Sequence, residues 1–96
     1  MNEIPMLRAD ERWFSAHAKD LIVAKTPFRF VVSGRQAEAL KPFIVNGEPR
    51  DAYKMGVNML LQPIMGVIFI AEGAGRPVRF SEDGDSIIGT VVDSAP

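Results

Sequence analysis

The chain has 96 residues, of which 47% are hydrophobic and 24% charged, and its 11 basic and 12 acidic residues leave a net charge of -1. This length suits one domain with one modest core, which we predict over residues 1–96 with flexible ends at 1–8 and 93–96. The balanced charge and a pI near 5.7 disfavour general electrostatic binding to nucleic acid or to an acidic membrane. The absence of cysteine excludes disulfides, thiolate nucleophiles and zinc-thiolate sites.

The first third of the chain predicts a helix followed by a strand. Asp10 is a candidate N-cap, and the helix should end before Pro27. Apolar residues recur at helical spacing in Phe14, Ala18, Leu21 and Ile22. The β-prone triplet 21–23 also suits a strand, so its structure stays open. Apolar residues alternate with others over Phe28–Val32, which predicts a strand with Arg29 on its wetter face.

The middle of the chain predicts a short helix and a long one. Ser33 and Gln36 have the spacing of a capping box, and the short helix that follows over 36–41 should stop at Pro42. The triplet Phe43–Val45 is too short to classify. Residues 49–62 predict the long helix, which begins near a proline and is apolar nearly all round in its second half.

The most apolar stretch, Ile64–Ala71, predicts the central strand of the sheet, with both of its faces covered. It is followed by predicted strands at 78–80 and 87–92, which would make a three-stranded antiparallel meander. The predicted fold class is therefore α+β, with two main helices and a short third packed on an antiparallel sheet of about four strands. No internal repeat is evident.

The uncharged run from Met55 to Ala71 has to be weighed as a membrane span. It is shorter than the roughly 20 apolar residues that cross a bilayer, and Asn58, Gln62 and Pro63 interrupt it. A buried helix followed by a buried strand explains it better, so we expect no membrane association. The N-terminus lacks the pattern of a signal peptide, which predicts a cytoplasmic protein.

Candidate catalytic and metal-binding residues are sparse. Ser15, His17 and Asp20 are the residue types of a hydrolase triad, but residues two apart on one helix point in different directions. The acidic stretch 82–86 lacks the length and the closing glutamate of a calcium loop, so a hairpin turn is the better interpretation. We therefore predict a non-enzymatic protein without cofactor or metal.

Four arginines predict an anion site. Arg29 and Arg79 each lie between apolar neighbours in a strand, while Arg35 and Arg76 lie at strand ends. If the two strands are neighbours, up to four guanidinium groups could share one rim, where their planar donor groups suit phosphate or carboxylate. The alternative is a solvated or salt-bridged face, on which an arginine commonly pairs with a nearby acidic residue such as Glu82.

The leading functional prediction is a small interaction protein, such as an inhibitor, adaptor or assembly subunit. Its partners would be another protein and a second copy of itself, and the alternative function is binding of a phosphate-bearing ligand through the arginines. Self-association is predicted because a central strand that is apolar on both faces needs a packing layer on each. If both long helices pack on one face, a second copy has to bury the other. The candidate contact residues are Met55, Met59, Ile68 and Ile70. A monomer with helices on opposite faces, or an enzyme whose site forms between subunits, stays open.

Overall fold

A computed structural model describes residues 4–45 and 61–92. In chain order the elements are β1 (Met6–Arg8), α1 (Phe14–Val23), β2 (Phe28–Val32), α2 (Gly34–Val45), α3 (Gln62–Gly73), β3 (Val78–Asp83) and β4 (Ser86–Val91). Within these two ranges, three helices pack on a four-stranded sheet, which confirms the predicted α+β class. Most of the helix predicted over 49–62, and the tail 93–96, lie outside the described residues.

The sheet is mixed, with strand order β1-β2-β4-β3. β1 runs parallel to β2, whereas β2 and β3 both run antiparallel to β4. The parallel pair requires a crossover connection, which α1 provides. The predicted flexible start of the chain therefore includes a strand. Two main-chain hydrogen bonds extend the β1-β2 ladder at its ends. The amide of Arg29 donates to the carbonyl of Pro5, and the amide of Ala9 donates to the carbonyl of Val31, each at 2.9 Å.

The predicted central strand is wrong, because Ile64–Ala71 belongs to the helix α3. Its buried residues recur at helical spacing, namely Ile64, Met65, Val67, Ile68 and Ala71. Phe69 is 44% exposed and Ile70 is 38% exposed, so neither is a core anchor. Pro63 lies at the start of this helix, where its missing N–H costs no hydrogen bond. The C-terminal meander is accordingly a two-stranded hairpin, β3-β4, with β2 on the other side of β4.

Two predicted helix boundaries also differ. α1 begins at Phe14 after Trp13, and Asp10 instead pairs with Arg8 at 3.1 Å. α1 continues to Val23, which settles the open question about 21–23 in favour of helix. α2 begins directly after Ser33, as the capping-box spacing predicts, but it continues through Pro42. Phe43 and Ile44 pack against the core beyond this proline, so tertiary packing outweighs the lost hydrogen bond.

The core is built around the ring of Phe30. Its centroid lies 5.2 Å from that of Phe14, 6.4 Å from that of Phe28 and 5.9 Å from that of Phe80. Phe30 and Phe80 flank Gly89 in the sheet register. A Cβ placed on Gly89 would overlap the Phe30 ring. The Phe30 ring therefore packs directly against the backbone of Gly89, which only glycine allows.

The two faces of the sheet differ in environment. The covered face contains the core residues of the strands, and these share one buried cluster with residues of all three helices. The open face contains the residues that alternate with them, and their side chains are exposed or half-buried. The residues of this open face are Met6, Arg8, Arg29, Val31, Arg79, Ser81, Asp83, Ser86, Ile88 and Thr90.

α1 ends in a Schellman motif with a residue of unusual conformation. The amide of Thr26 donates to the carbonyl of Leu21 at 2.9 Å, and that of Lys25 donates to Ile22 at 3.1 Å. Lys25 has a φ of 57°, in the left-handed region that favours glycine. The end of α1 therefore contains a locally unfavourable residue.

α3 ends in the same motif, here with Gly75 at the left-handed position. The amide of Arg76 donates to the carbonyl of Ala71 at 2.8 Å. A proline and then a strand follow each motif, so residues 24–30 and 74–80 both have the sequence Ala-x-x-Pro-x-Arg-Phe. The structure thus contains a repeated helix-to-strand unit that was not predicted from the sequence.

We expect Gly89→Ala to lower the free energy of unfolding by about 3 kcal/mol, because the new methyl group overlaps the Phe30 ring. Gly66→Ala is the matched control. Gly66 lies inside α3 with nothing within 4 Å of its added Cβ, so this change should stabilise the protein by about 0.5–1 kcal/mol. Urea unfolding of both variants checks the pair, and equal midpoints would contradict the close approach of Phe30.

We expect Lys25→Gly to raise the free energy of unfolding by about 1 kcal/mol, because glycine adopts the left-handed conformation without strain. Lys19→Gly, an equal change within α1, should instead lower stability by about 1 kcal/mol. Thermal unfolding measures both changes. A loss of stability in Lys25→Gly would mean that the lysine side chain makes a contribution larger than the strain.

Candidate functional site

One row of the open face places a threonine between two arginines. Arg29 and Arg79 are each paired with Thr90 in the sheet register, one from each side. Because directly opposite residues of neighbouring strands point to the same face, all three side chains lie on the open face. Two strand spacings put the Cα atoms of the arginines about 10 Å apart.

Both arginines of this row are exposed. Among residues 4–45 and 61–92, the ion pair that forms is between Arg8 and Asp10, and neither Arg29 nor Arg79 pairs with a carboxylate. The alternative expectation of a salt bridge to Glu82 is therefore not met in this part of the chain. The row presents two positive charges to solvent.

An apolar row lies beside the arginine row. Val31 and Ile88 are directly paired and half-buried. Val31 lies two residues after Arg29 in β2, and Ile88 lies two residues before Thr90 in β4. Arg8 pairs with Val31 from the edge strand, and Met6 pairs with Arg29. The open face therefore combines an apolar centre with positive charge at one end.

Arg76 does not belong to this surface, because its side chain is only 3% exposed. Its guanidinium donates to the carbonyls of Ile22 at 3.1 Å and Leu21 at 3.4 Å, at the C-terminus of α1, and to Val92 at 3.2 Å. A cation is favourable there because the helix dipole is negative at that end. Arg76 is a structural clamp between two helix ends.

Arg35 is also separate from the row. It is exposed in the first turn of α2, beyond the end of β2, whereas Arg29 and Arg79 each lie next to the start of their strands. The start of β2 and the start of β3 lie at the same end of the sheet. Of the four predicted arginines, the fold thus brings together two, and it adds Thr90, which was not predicted.

A concave surface lies at the opposite end of the sheet, between α2 and the β3-β4 turn. This cleft has a volume of about 390 Å³ and is lined by Gly34, Ala37, Glu38, Lys41, Glu82, Gly84, Asp85, Ser86 and Ile87. Three carboxylates against one lysine make it acidic.

The turn beside this cleft contains Gly84, which has a φ of 61° in a two-residue turn, as the II′ type requires. Among the described residues, no group of three or more acidic or histidine side chains could hold a metal ion.

The residues predicted as interface contacts and those weighed as a catalytic triad lie in different parts of the fold. Ile68 lies in the core at 4% exposure, which leaves it unavailable as a contact, while Ile70 is partly exposed on α3. Met55 and Met59 lie outside the described residues. Ser15, His17 and Asp20 are all exposed on α1. Within the described ranges, no helix has the length and apolar character needed to cross a membrane.

Comparison of the chain with protein-family models, with curated proteins and with solved structures gave no match. The functional argument therefore depends on the geometry of the open face and of the cleft.

We expect Arg76→Ala to lower the free energy of unfolding by about 3 kcal/mol, because it removes a buried charged donor from the end of α1. Arg76→Met is the matched control, since it keeps most of the buried aliphatic volume and removes only the donors. Urea unfolding separates the two contributions. Stability within about 0.5 kcal/mol of the parent for both variants would contradict the clamp.

Proposed function

We propose that this chain is a small non-enzymatic interaction protein that binds an acidic segment of a partner protein through its open face. The observation that carries the proposal is the pair of exposed arginines, Arg29 and Arg79, which share one row without a neutralising carboxylate in the described structure. Their charge is complementary to an acidic partner, and complementarity of this kind directs association and fixes register.

The composition of the open face supports the same proposal. Protein interfaces are enriched in arginine and methionine and have an apolar centre within a polar rim. Val31 and Ile88 supply the apolar centre, while Met6 and the arginines surround it. Arginine is also among the residues that most often dominate binding energy.

The size of the face indicates a transient complex. Four strands spaced about 4.8 Å apart and three to six residues long offer roughly 300 Å² to a partner. A standard stable interface uses about 800 Å² from each side, so this face alone fits the small interfaces of transient encounters. An extended acidic segment is a suitable partner because it can lie across a nearly flat surface.

Self-association, predicted from the sequence, is a separate proposal. A twofold axis parallel to the strands would place the arginine rows of two copies against each other with like charge, so a dimer through the open face would need an axis that crosses the strands. The partly exposed Ile70 on α3 is the remaining described candidate for such a contact. Light scattering coupled to size exclusion tests it, and a mass near 10.6 kDa at high micromolar concentration would exclude it.

The proposed function predicts that capture of partners from host lysate depends on the open face. The double variant Arg29→Glu/Arg79→Glu should lose the proteins that the immobilised parent retains, as identified by mass spectrometry. The double variant Lys19→Glu/Arg35→Glu changes the net charge equally at exposed positions off the face, and it should retain them.

Both variants should melt within a few degrees of the parent, since all four side chains are exposed. Capture that persists in the open-face variant would exclude this surface as the binding site. Equal loss in both variants would mean that net charge, rather than the open face, controls the interaction.

A further inference from the structure

We propose that Arg29, Thr90 and Arg79 bind one phosphate monoester carried on a side chain of the partner, an inference that rests on the proposed function above. Such a group, as on phosphoserine, combines a charge of about -1.5 to -2 with three acceptor oxygens. The open face therefore recognises a phosphorylated segment and not only an acidic one.

The register of the sheet supports convergence on a single anion. The two arginines flank Thr90 at equal strand spacing, and their long side chains can meet above it from both sides. Each guanidinium has several N–H donors in a planar arrangement, and the Thr90 hydroxyl lies between them as a further donor. The row thus offers donors from three directions, which suits a tetrahedral group.

The balance of charge favours phosphate over carboxylate. One arginine satisfies one carboxylate through two parallel hydrogen bonds, which would leave the second guanidinium of the row unpaired. A dianion neutralises both arginines together. Within the described ranges neither arginine of the row forms an ion pair with a carboxylate of the chain.

The surroundings of the row favour a phosphate that is carried on protein rather than on a nucleotide. Small ligands are normally bound in concave pockets, but the row lies on an open sheet face. The cleft between α2 and the β3-β4 turn is acidic and lies at the other end of the sheet, so it would repel the phosphate of a nucleotide. Val31 and Ile88, about 7 Å further along the strands, can instead contact an apolar side chain next to the phosphorylated residue.

Titration of the isotopically labelled full chain, followed by NMR, tests the site with O-phospho-L-serine as the probe. We expect saturable shifts of the Thr90 amide and of the Nε–H groups of Arg29 and Arg79. L-glutamate at equal ionic strength should bind several-fold more weakly. Shifts that avoid Thr90, or equal binding of both probes, would overturn the inference.

Variants of single arginines sharpen the titration. Arg29→Gln and Arg79→Gln should each weaken phosphoserine binding about tenfold or more, because each removes charge-assisted hydrogen bonds. Arg35→Gln is the matched control and should bind like the parent, as it lies at the other end of the sheet. Unchanged binding in both row variants would contradict a shared site. Tighter binding of adenosine monophosphate than of phosphoserine would overturn the choice of a protein-borne phosphate.

Phosphatase treatment of the lysate separates this inference from the proposed function. Loss of the face-dependent capture after treatment supports both. Capture that depends on the open face but survives phosphatase would overturn the phosphate site and leave the proposed function standing. Binding of phosphoserine at the row, together with capture that is independent of the face, would instead refute the proposed function.

Discussion

The ring of Phe30 occupies the space above Gly89 that any other side chain at that position would fill. This one close approach allows β2, β4 and β3 to share a layer of aromatic rings, because Phe30 and Phe80 meet edge to face over the gap. The helices then cover the rings, with Phe14 of α1 packed directly on Phe30. All of this packing lies on one side of the sheet, so the opposite side is left as the open face.

Much of the sheet could be predicted from the sequence, because strands with one covered face alternate in polarity. The stretch 28–32 and the two strands of the hairpin carry that alternation. The sequence of α3 predicts a strand because its residues are apolar in nearly every direction, and periodicity then does not distinguish a buried helix from a buried strand. The flanking residues hold the missing information. Pro63 suits a first helical turn and Gly75 a helix C-terminus, and together they indicate a helix rather than a strand between two loops.

The candidate site was predicted in part. Arg29 and Arg79 have the same setting in the sequence, and the fold does place them together, although β4 lies between their strands. Thr90 could not be chosen beforehand, because the strand order decides which residue lies between the arginines. Arg76, which was predicted to share the rim with them, is instead buried. The reason is the packing of two helix ends against each other, which only the tertiary structure reveals.

The arginine row and the acidic cleft lie at opposite ends of the same sheet, on the order of 15–20 Å apart along the strands. The described part of the chain thus separates positive charge at one end of the sheet from negative charge at the other. In the field of a charged partner this separation of charge produces a torque, which turns the arginine end towards negative charge before any contact forms. The screening length is about 10 Å at 0.1 M salt, so this preorientation acts over the last nanometre of approach and weakens as ionic strength rises.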